Sequence, residues 1–168
     1  MIKIAVIYHS ETGNTERMAG MVEQGCRSVP EVEVKVMSYD QVDSAFLEQA
    51  RAVILGCPNY EGSCSWQMKK FLDSPQPAGL LAGKLGGVFV TQNWPGGGGG
   101  SFAEMTMIAG MLVRGMLIYS GGITEGHPPV HFGAVACKTP QGIDRERAIK
   151  LGQNISAKAV ELWGQTPR

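Results

Sequence analysis

The first fifteen residues contain the feature that most constrains the fold. An apolar run at residues 4–8 leads directly into a polar turn at residues 10–15, and residues 14–28 then carry apolar side chains at helical spacing. The apolar run does not alternate, which is typical of a strand that is covered on both faces. The chain therefore begins as a strand that enters a helix through one short loop, as parallel α/β sheets require.

The turn at residues 10–15 is rich in hydroxyl groups. Its three hydroxyl side chains are those of Ser10, Thr12 and Thr15. Gly13 permits backbone angles that other residues resist, and the first amides of a helix are unpaired and carry partial positive charge. Because no Lys or Arg lies between His9 and Glu16, the turn suits a terminal monophosphate better than a magnesium-bound triphosphate. The alternative is an ordinary helix cap formed by Ser10 or Thr12.

Strand and helix patterns alternate five times along the chain. Strands are predicted at residues 4–8, 32–36, 52–55, 85–91 and 116–119. Helices are predicted at residues 14–28, 40–50, 65–73, 101–114 and 143–162. We expect one domain over residues 1–168, with a parallel sheet and helices on both faces.

Composition excludes several classes of function. Fifteen basic residues balance fifteen acidic ones, so neither a nucleic-acid partner nor a membrane surface is expected. The four cysteines form no Cys-x-x-Cys pair and no zinc-like cluster with histidine. We therefore expect reduced thiols in a cytoplasmic protein without a metal site and without a secretion signal.

Two further loops follow the third and fourth predicted strands, where ligands of such sheets bind. The candidate site residues of the second loop are Pro58, Asn59, Tyr60, Glu61 and Gly62. Those of the third loop are Thr91, Gln92, Asn93, Trp94, Gly96 and Gly97. Tyr60 and Trp94 either pack on the protein itself or stack on a flat heterocycle. Above a phosphate turn, the pair favours a flavin.

With these motifs in place, the chain resembles the flavodoxin-like superfamily and, more specifically, the WrbA-type NAD(P)H:quinone oxidoreductases. The resemblance lies in residues 10–15, 56–63, 65–73 and 83–85, the glycine run at 96–100, and residues 131–134. It implies a doubly wound, five-stranded parallel sheet of order 2-1-3-4-5 that binds FMN. It places the FMN phosphate against Ser10, Glu11, Thr12, Gly13, Asn14 and Thr15, and the ring between the second and third loops. It also implies a homotetramer, with a homodimer as the alternative.

The chain departs from the WrbA-type pattern in four places. It lacks a long insertion between the second and third strands, and residues 78–81 stand where that group has a substrate-lining tryptophan. Arg114 replaces a histidine, and the third loop contains Trp94 followed by Pro95. These changes affect the expected substrate site more than the expected FMN site.

Three functions are compatible with the sequence. The first is an FMN-dependent oxidoreductase that passes electrons from NAD(P)H to a quinone or similar small acceptor, with no catalytic side chain assigned. The second is an electron-transfer flavodoxin, against which the zero net charge argues because such carriers are usually acidic. The third is a scaffold that has lost FMN. Cys57 and Cys64 flank the second loop, either as redox-active thiols or as small buried side chains.

Overall fold

A computed structural model describes residues 1–164 and contains a parallel sheet between two layers of helices. The strands are β1 (Ile2–Tyr8), β2 (Val32–Ser38), β3 (Ala52–Tyr60), β4 (Ser63–Cys64), β5 (Leu85–Gln92), β6 (Leu117–Ile118) and β7 (Ala134–Cys137). The helices are α1 (Asn14–Arg27), α2 (Ser44–Gln49), α3 (Trp66–Asp73), α4 (Gly100–Val113) and α5 (Gly142–Trp163), with a short 3-10 helix at Ala78–Leu81. In residues 1–164, no helix has both the length and the apolar character that a bilayer crossing requires.

The sheet order is β2-β1-β3-β5-β6, all neighbours being parallel. In the numbering of the five predicted strands this is 2-1-3-4-5, so the predicted architecture is confirmed. The strand order reverses between β1 and β3, since β2 lies on one side of β1 and the later strands lie on the other. The carboxyl ends of β1 and β3 lie next to that of β5. The loops after β1, β3 and β5 consequently meet at one edge.

The core is divided by the sheet into two apolar layers. Alternate residues of β1 enter opposite layers, since Ile4 and Val6 pack with α1 and α5 while Ile7 packs with α3 and α4. Helices α1 and α5 approach very closely, because a Cβ atom at Gly25 would lie only 1.9 Å from the carbonyl oxygen of Ile149. The continuous apolar run of β1 is thus explained by burial on both faces.

The fifth strand position differs from the prediction. Strand β6 is shorter than the predicted residues 116–119 and pairs only with the start of β5, where Leu85 faces Leu117. Strand β7 pairs with the end of β5, where Phe89 faces Ala134. Residues 119–133, here called the insert, leave the sheet between these two pieces. The sequence pattern missed β7 because four residues are too few to show a period.

The third strand is longer than predicted and changes the nature of the second loop. Strand β3 runs on to Tyr60, and after two residues β4 returns antiparallel to it. The turn residues Glu61 and Gly62 have φ angles of 49° and 79°. Positive φ at both central positions is typical of a two-residue β-hairpin turn. The second predicted loop, which contains Pro58 to Gly62, is therefore part of a β-hairpin.

Candidate functional site

A cavity of about 430 Å³ lies at the carboxyl edge of the sheet, where the three predicted loops meet. It is lined by Glu11, Thr12, Asn14, Thr15, Pro58, Asn59, Tyr60, Glu61, Thr91, Gln92 and Asn93. Its volume is within the range of small-molecule and cofactor sites. The structure thus brings together residues of all three loops in one cavity.

The first loop is closed by its own hydrogen bonds. The amide of Gly13 donates to Ser10 Oγ over 3.1 Å, and Gly13 has a φ of 84° that favours glycine. Ser10 and Gly13 therefore shape the turn rather than line the cavity. Thr15 is buried, and its Oγ1 lies 2.8 Å from Oγ1 of Thr91. This contact fixes the start of α1 against the end of β5.

A cation lies beside the loop, although residues 10–15 contain none. Arg17 Nη1 donates to Asn14 Oδ1 over 3.0 Å, and the guanidinium carbon would lie 3.9 Å from a Cβ at Gly13. Sequence reasoning missed this because it considered only the loop residues. The signal was helical spacing, since side chains three positions apart meet on one helix face.

Asn59 connects the hairpin to the glycine run. Its Nδ2 donates to the carbonyl oxygen of Gly98. Its Oδ1 is buried and has no hydrogen-bond partner within residues 1–164. An unpaired buried acceptor costs free energy unless a ligand or water satisfies it. The carbonyl of Asn59 is therefore placed to accept a hydrogen bond from a bound molecule.

Tyr60 lies in a cluster with Glu11, which the sequence indicated, and with His9 and Gln67, which it did not. Its hydroxyl lies 3.5 Å from Nε2 of the buried His9, and Gln67 Nε2 donates to Glu11 Oε1 over 3.1 Å in the same cluster. Burial and the Glu11 carboxylate raise the pKa of Tyr60 to about 12. Burial lowers the pKa of His9, an effect that Glu11 and Asp40 oppose. The phenol is consequently neutral, and the imidazole is available to accept its proton in a hydrogen bond.

The third loop divides into two parts. Thr91, Gln92 and Asn93 reach the cavity, and Gln92 Oε1 also accepts the amide of Gly100 over 2.8 Å. Trp94 is 72% exposed, with Lys138 Nζ 5.9 Å from its ring centre. Gly96 and Gly97 line a separate hollow of about 160 Å³. Trp94, Gly96 and Gly97 thus lie outside the cavity in this structure.

Comparisons with known proteins agree with this geometry. The model of the flavodoxin family matches residues 6–104. A flavodoxin of Clostridium saccharobutylicum is 38% identical over 162 residues, which cover 96% of this chain and 100% of that protein. The chain belongs to the flavodoxin family. The superfamily predicted from the motifs is therefore confirmed, and FMN is the cofactor that this family binds.

More distant relatives of this chain include proteins of the quinone-oxidoreductase and WrbA types that the sequence suggested. An NAD(P)H dehydrogenase (quinone) of Archaeoglobus fulgidus is 29% identical, covering 96% of this chain and 100% of that protein. The crystal structure of a WrbA-like flavodoxin from Agrobacterium tumefaciens is 26% identical with a TM-score of 0.74, covering 96% and 99% of the two chains. The specific likeness to quinone oxidoreductases is thus weaker than the likeness to flavodoxins.

The residues of the cavity fit FMN. The hydroxyls of Thr12 and Thr15, with the amides at the start of α1, suit a phosphate. The buried Oδ1 of Asn59 lacks a partner among the described residues and would suit an N–H donor of a bound ring. Tyr60 offers a ring of fixed position beside the space that remains.

The cysteines of this flavodoxin are free in the described part of the chain, and three of the four are buried. Burial raises the pKa of Cys57 to about 12, and its sulfur contacts Met107 Sδ at 3.7 Å. Cys64 is also buried. Redox chemistry needs an accessible thiolate, so the structure favours the interpretation of Cys57 and Cys64 as small packing residues.

Arg114 does not line the cavity of its own chain. Its Nε donates to the carbonyl oxygen of Leu72 over 2.8 Å, and its Nη2 donates to the carbonyl oxygen of Ser74 over 3.4 Å. These bonds satisfy carbonyl groups at the end of α3, which otherwise lack helical partners. The structure gives Arg114 a role in holding α3 against α4.

Proposed function

We propose that this flavodoxin is an electron carrier that holds FMN in the cavity and exchanges electrons with protein partners. When bound, FMN supplies the ability to accept and release electrons one at a time. The chain's own residues position the phosphate at residues 10–15 and the ring beside Tyr60. The full-length identity of 38% to a flavodoxin supports this role more strongly than the 29% identity to a quinone dehydrogenase.

The observation that carries the proposal is the charge of the cavity wall. Its only two charged lining residues in the described chain are Glu11 and Glu61, both carboxylates. Although the chain has no net charge, the lining of the cavity is therefore acidic, while Arg17 lies outside it beside the first loop. An acidic rim steers basic partners toward the cavity and raises the free energy of negative charge on a bound ring. Both effects suit a low-potential electron carrier, so the zero net charge does not exclude this function.

Electrostatic steering by the carboxylates is tested with Glu61→Gln, which removes one carboxylate from the rim while keeping the shape of the side chain. The FMN-loaded protein, reduced anaerobically with dithionite, is mixed with cytochrome c as a basic electron acceptor. We expect the variant to react several-fold more slowly at low salt and to lose part of the salt dependence.

Glu48→Gln is the matched control, since Glu48 is exposed on α2 near the opposite edge of the sheet. Its rate and salt dependence should equal those of the unmodified protein. Equal rates for all three proteins at low salt would contradict a steering role for the rim.

The second candidate is an NAD(P)H:quinone oxidoreductase. The observation in its favour is an open groove of about 900 Å³ that shares Tyr60 with the cavity and is also lined by Trp66, Lys69 and Lys70. Lys69 forms an ion pair with Asp73, which lines the same groove, so the features that suit a dinucleotide are the Trp66 ring and the ammonium group of Lys70.

Anaerobic mixing of the FMN-loaded protein with NADPH or NADH, followed by benzoquinone, distinguishes the two candidates. For an electron carrier, neither nucleotide bleaches the flavin on the time scale of turnover, whereas dithionite reduces it in two separable stages. Rapid bleaching by a nucleotide with recovery by benzoquinone would replace the first proposal by the second.

A further inference from the structure

A second cavity, of about 200 Å³, lies between α4, α5 and the end of the insert. It is lined by Ser101, Glu104, Pro129, His131, Phe132, Gly133, Val135 and Arg147. None of these residues lines the FMN cavity. The flavodoxin function described above does not use this site.

Glu104 forms the buried polar part of this cavity. It is 2% exposed, and its Oε1 has no hydrogen-bond partner among residues 1–164. The insert covers it through Gly133, where a Cβ would lie 2.7 Å from Oε1 and 2.2 Å from the carbonyl oxygen of Val88. Because Gly133 has no side chain, the backbone of the insert can lie this close to Glu104, whose carboxyl group still lines the cavity.

Burial makes the missing donor costly. It raises the pKa of Glu104 to about 7, a shift that the neighbouring Ser101 only partly opposes. A hydrogen bond from the Ser101 side chain accounts for that partial opposition, but Oε1 receives no hydrogen bond among residues 1–164 in exchange for its lost hydration. A ligand that carries an N–H or O–H group would remove this penalty.

Arg147 supplies the opposite charge from α5. Within the described chain, its guanidinium forms no ion pair and no side-chain hydrogen bond, either with Glu104 or with another residue. The neighbouring Arg145 differs, since it donates to Gln24 over 3.2 Å. An unpaired guanidinium at a cavity wall is suited to a carboxylate, which it binds through two parallel hydrogen bonds.

The size of the cavity limits the ligand. Since one water occupies about 30 Å³ in the liquid, 200 Å³ corresponds to roughly six or seven non-hydrogen atoms. The ligand must offer a donor to Glu104 and an anion to Arg147 within that size. We propose that this cavity binds a small aminocarboxylate, with its ammonium group at Glu104 and its carboxylate at Arg147.

The test is a titration of the FMN-loaded, 15N-labelled protein followed by amide chemical shifts. Glycine, β-alanine and γ-aminobutyrate vary the distance between the two charges, while acetate and methylamine each carry only one of them. We expect at least one aminocarboxylate to give saturable shifts at Ser101, Gly133 and the start of α5. Acetate and methylamine should bind at least about tenfold more weakly, because each leaves one charged group of the cavity unpaired.

Two variants locate the binding, and one serves as a control. Glu104→Gln and Arg147→Gln should each weaken the binding at least about tenfold, as expected for the loss of a charge-assisted bond. Arg145→Gln, which changes the same type of side chain on the same helix outside the cavity, should bind normally. FMN fluorescence quenching should be unchanged in all three, which separates this proposal from that of the FMN site.

Two results would overturn the proposal. The first is the absence of saturable shifts with every aminocarboxylate, which would leave water as the occupant of the cavity. The second is equal binding of acetate, methylamine and glycine by the unmodified protein, which needs no variant and is decisive even if a substitution impairs folding.

Discussion

Tyr60 and Trp94 lie on neighbouring loops at the same edge of the sheet, and the sequence predicts the same role for both. The structure treats them differently. Tyr60 lines the cavity and has its hydroxyl 3.5 Å from His9, whereas Trp94 is 72% exposed and has Lys138 Nζ 5.9 Å from its ring centre. The two aromatic residues therefore differ in what holds them rather than in their chemistry.

The difference arises from the backbone beneath each ring. Tyr60 is the last residue of β3 and pairs with Ser63 across a hairpin, so its direction is set by strand geometry. Trp94 lies two residues before the glycine run at 96–100, and glycine residues have little preference for any one set of backbone angles. An aromatic residue in a loop becomes part of a site only where neighbouring structure fixes its orientation.

The largest expected effect separates Tyr60→Ala from Trp94→Ala. Loss of Tyr60 should weaken FMN binding by about 1–2 kcal/mol, or roughly tenfold, because it removes a positioned stacking surface. Loss of Trp94 should change the affinity by less than about twofold, since the ring stands in solvent. Quenching of FMN fluorescence measures both dissociation constants.

If Trp94→Ala weakens FMN binding as strongly as Tyr60→Ala, the conclusion that only Tyr60 belongs to the site is wrong. That result would mean that the glycine-rich loop closes over bound FMN and brings Trp94 to the ring. The comparison would then hold only for the protein without its cofactor.

Gly62 and Gly96 provide a matched pair with a smaller expected effect. Their φ angles are 79° and 68°, and a Cβ at either position would meet no atom within 4 Å. Valine therefore introduces similar backbone strain of about 1–2 kcal/mol at each site. Gly62→Val should weaken FMN binding several-fold through the hairpin, and Gly96→Val should not.

Both variants should lower the midpoint of thermal unfolding by comparable amounts, which controls for strain. Equal FMN affinities in the two variants would indicate that the hairpin turn does not set the orientation of Tyr60.

The smallest expected effect is a pH dependence of the free energy of unfolding, which arises from His9, the partner of Tyr60. Burial lowers the pKa of His9, so the folded protein resists a proton that the unfolded chain binds at its ordinary pKa of about 6.5. The free energy of unfolding should consequently fall as the pH drops below about 6.5, because the unfolded state binds more protons there. Urea unfolding between pH 7.5 and 5 measures this slope.

His9→Gln removes this contribution, and its unfolding free energy should depend less on pH over the same range. In the unmodified protein, the ring resonances of Tyr60 should move with this titration while the indole of Trp94 stays unchanged, since protonated His9 cannot accept the phenol hydrogen bond. Equal slopes in the two proteins would show that His9 is not held in its neutral form.

Much of the fold was predictable because it depends on patterns that a sequence displays directly. Burial on both faces makes β1 a continuous apolar run, and the other main strands and helices follow from periodicity. The hairpin was not recognised because Glu61, an unusual residue at positive φ, stands where glycine or asparagine signals the turn. Strand β7 was missed because it is short and follows the insert.

The candidate site was predictable to the extent that its residues are local. The predicted phosphate turn lies within six consecutive residues, so its hydroxyls could be considered together. His9, Gln67 and Arg17 were not recognised, because their roles depend on partners across the cavity or one helical turn away. The structure was also needed to show that Asn59 and Tyr60 of the second loop line the cavity, whereas Trp94 of the third loop lies outside it.

Hydrophobic periodicity and short polar motifs act between residues that are near in the chain, so they were sufficient to predict the parallel α/β architecture and the family, and they predict a phosphate site at residues 10–15. The three-dimensional fold was needed to show which aromatic ring faces the cavity, that the charged lining residues of this cavity within residues 1–164 are Glu11 and Glu61, and that Glu104 and Arg147 line a second cavity. These properties depend on distances between residues far apart in the chain, which are fixed when the sheet aligns its loops and the insert folds over α4.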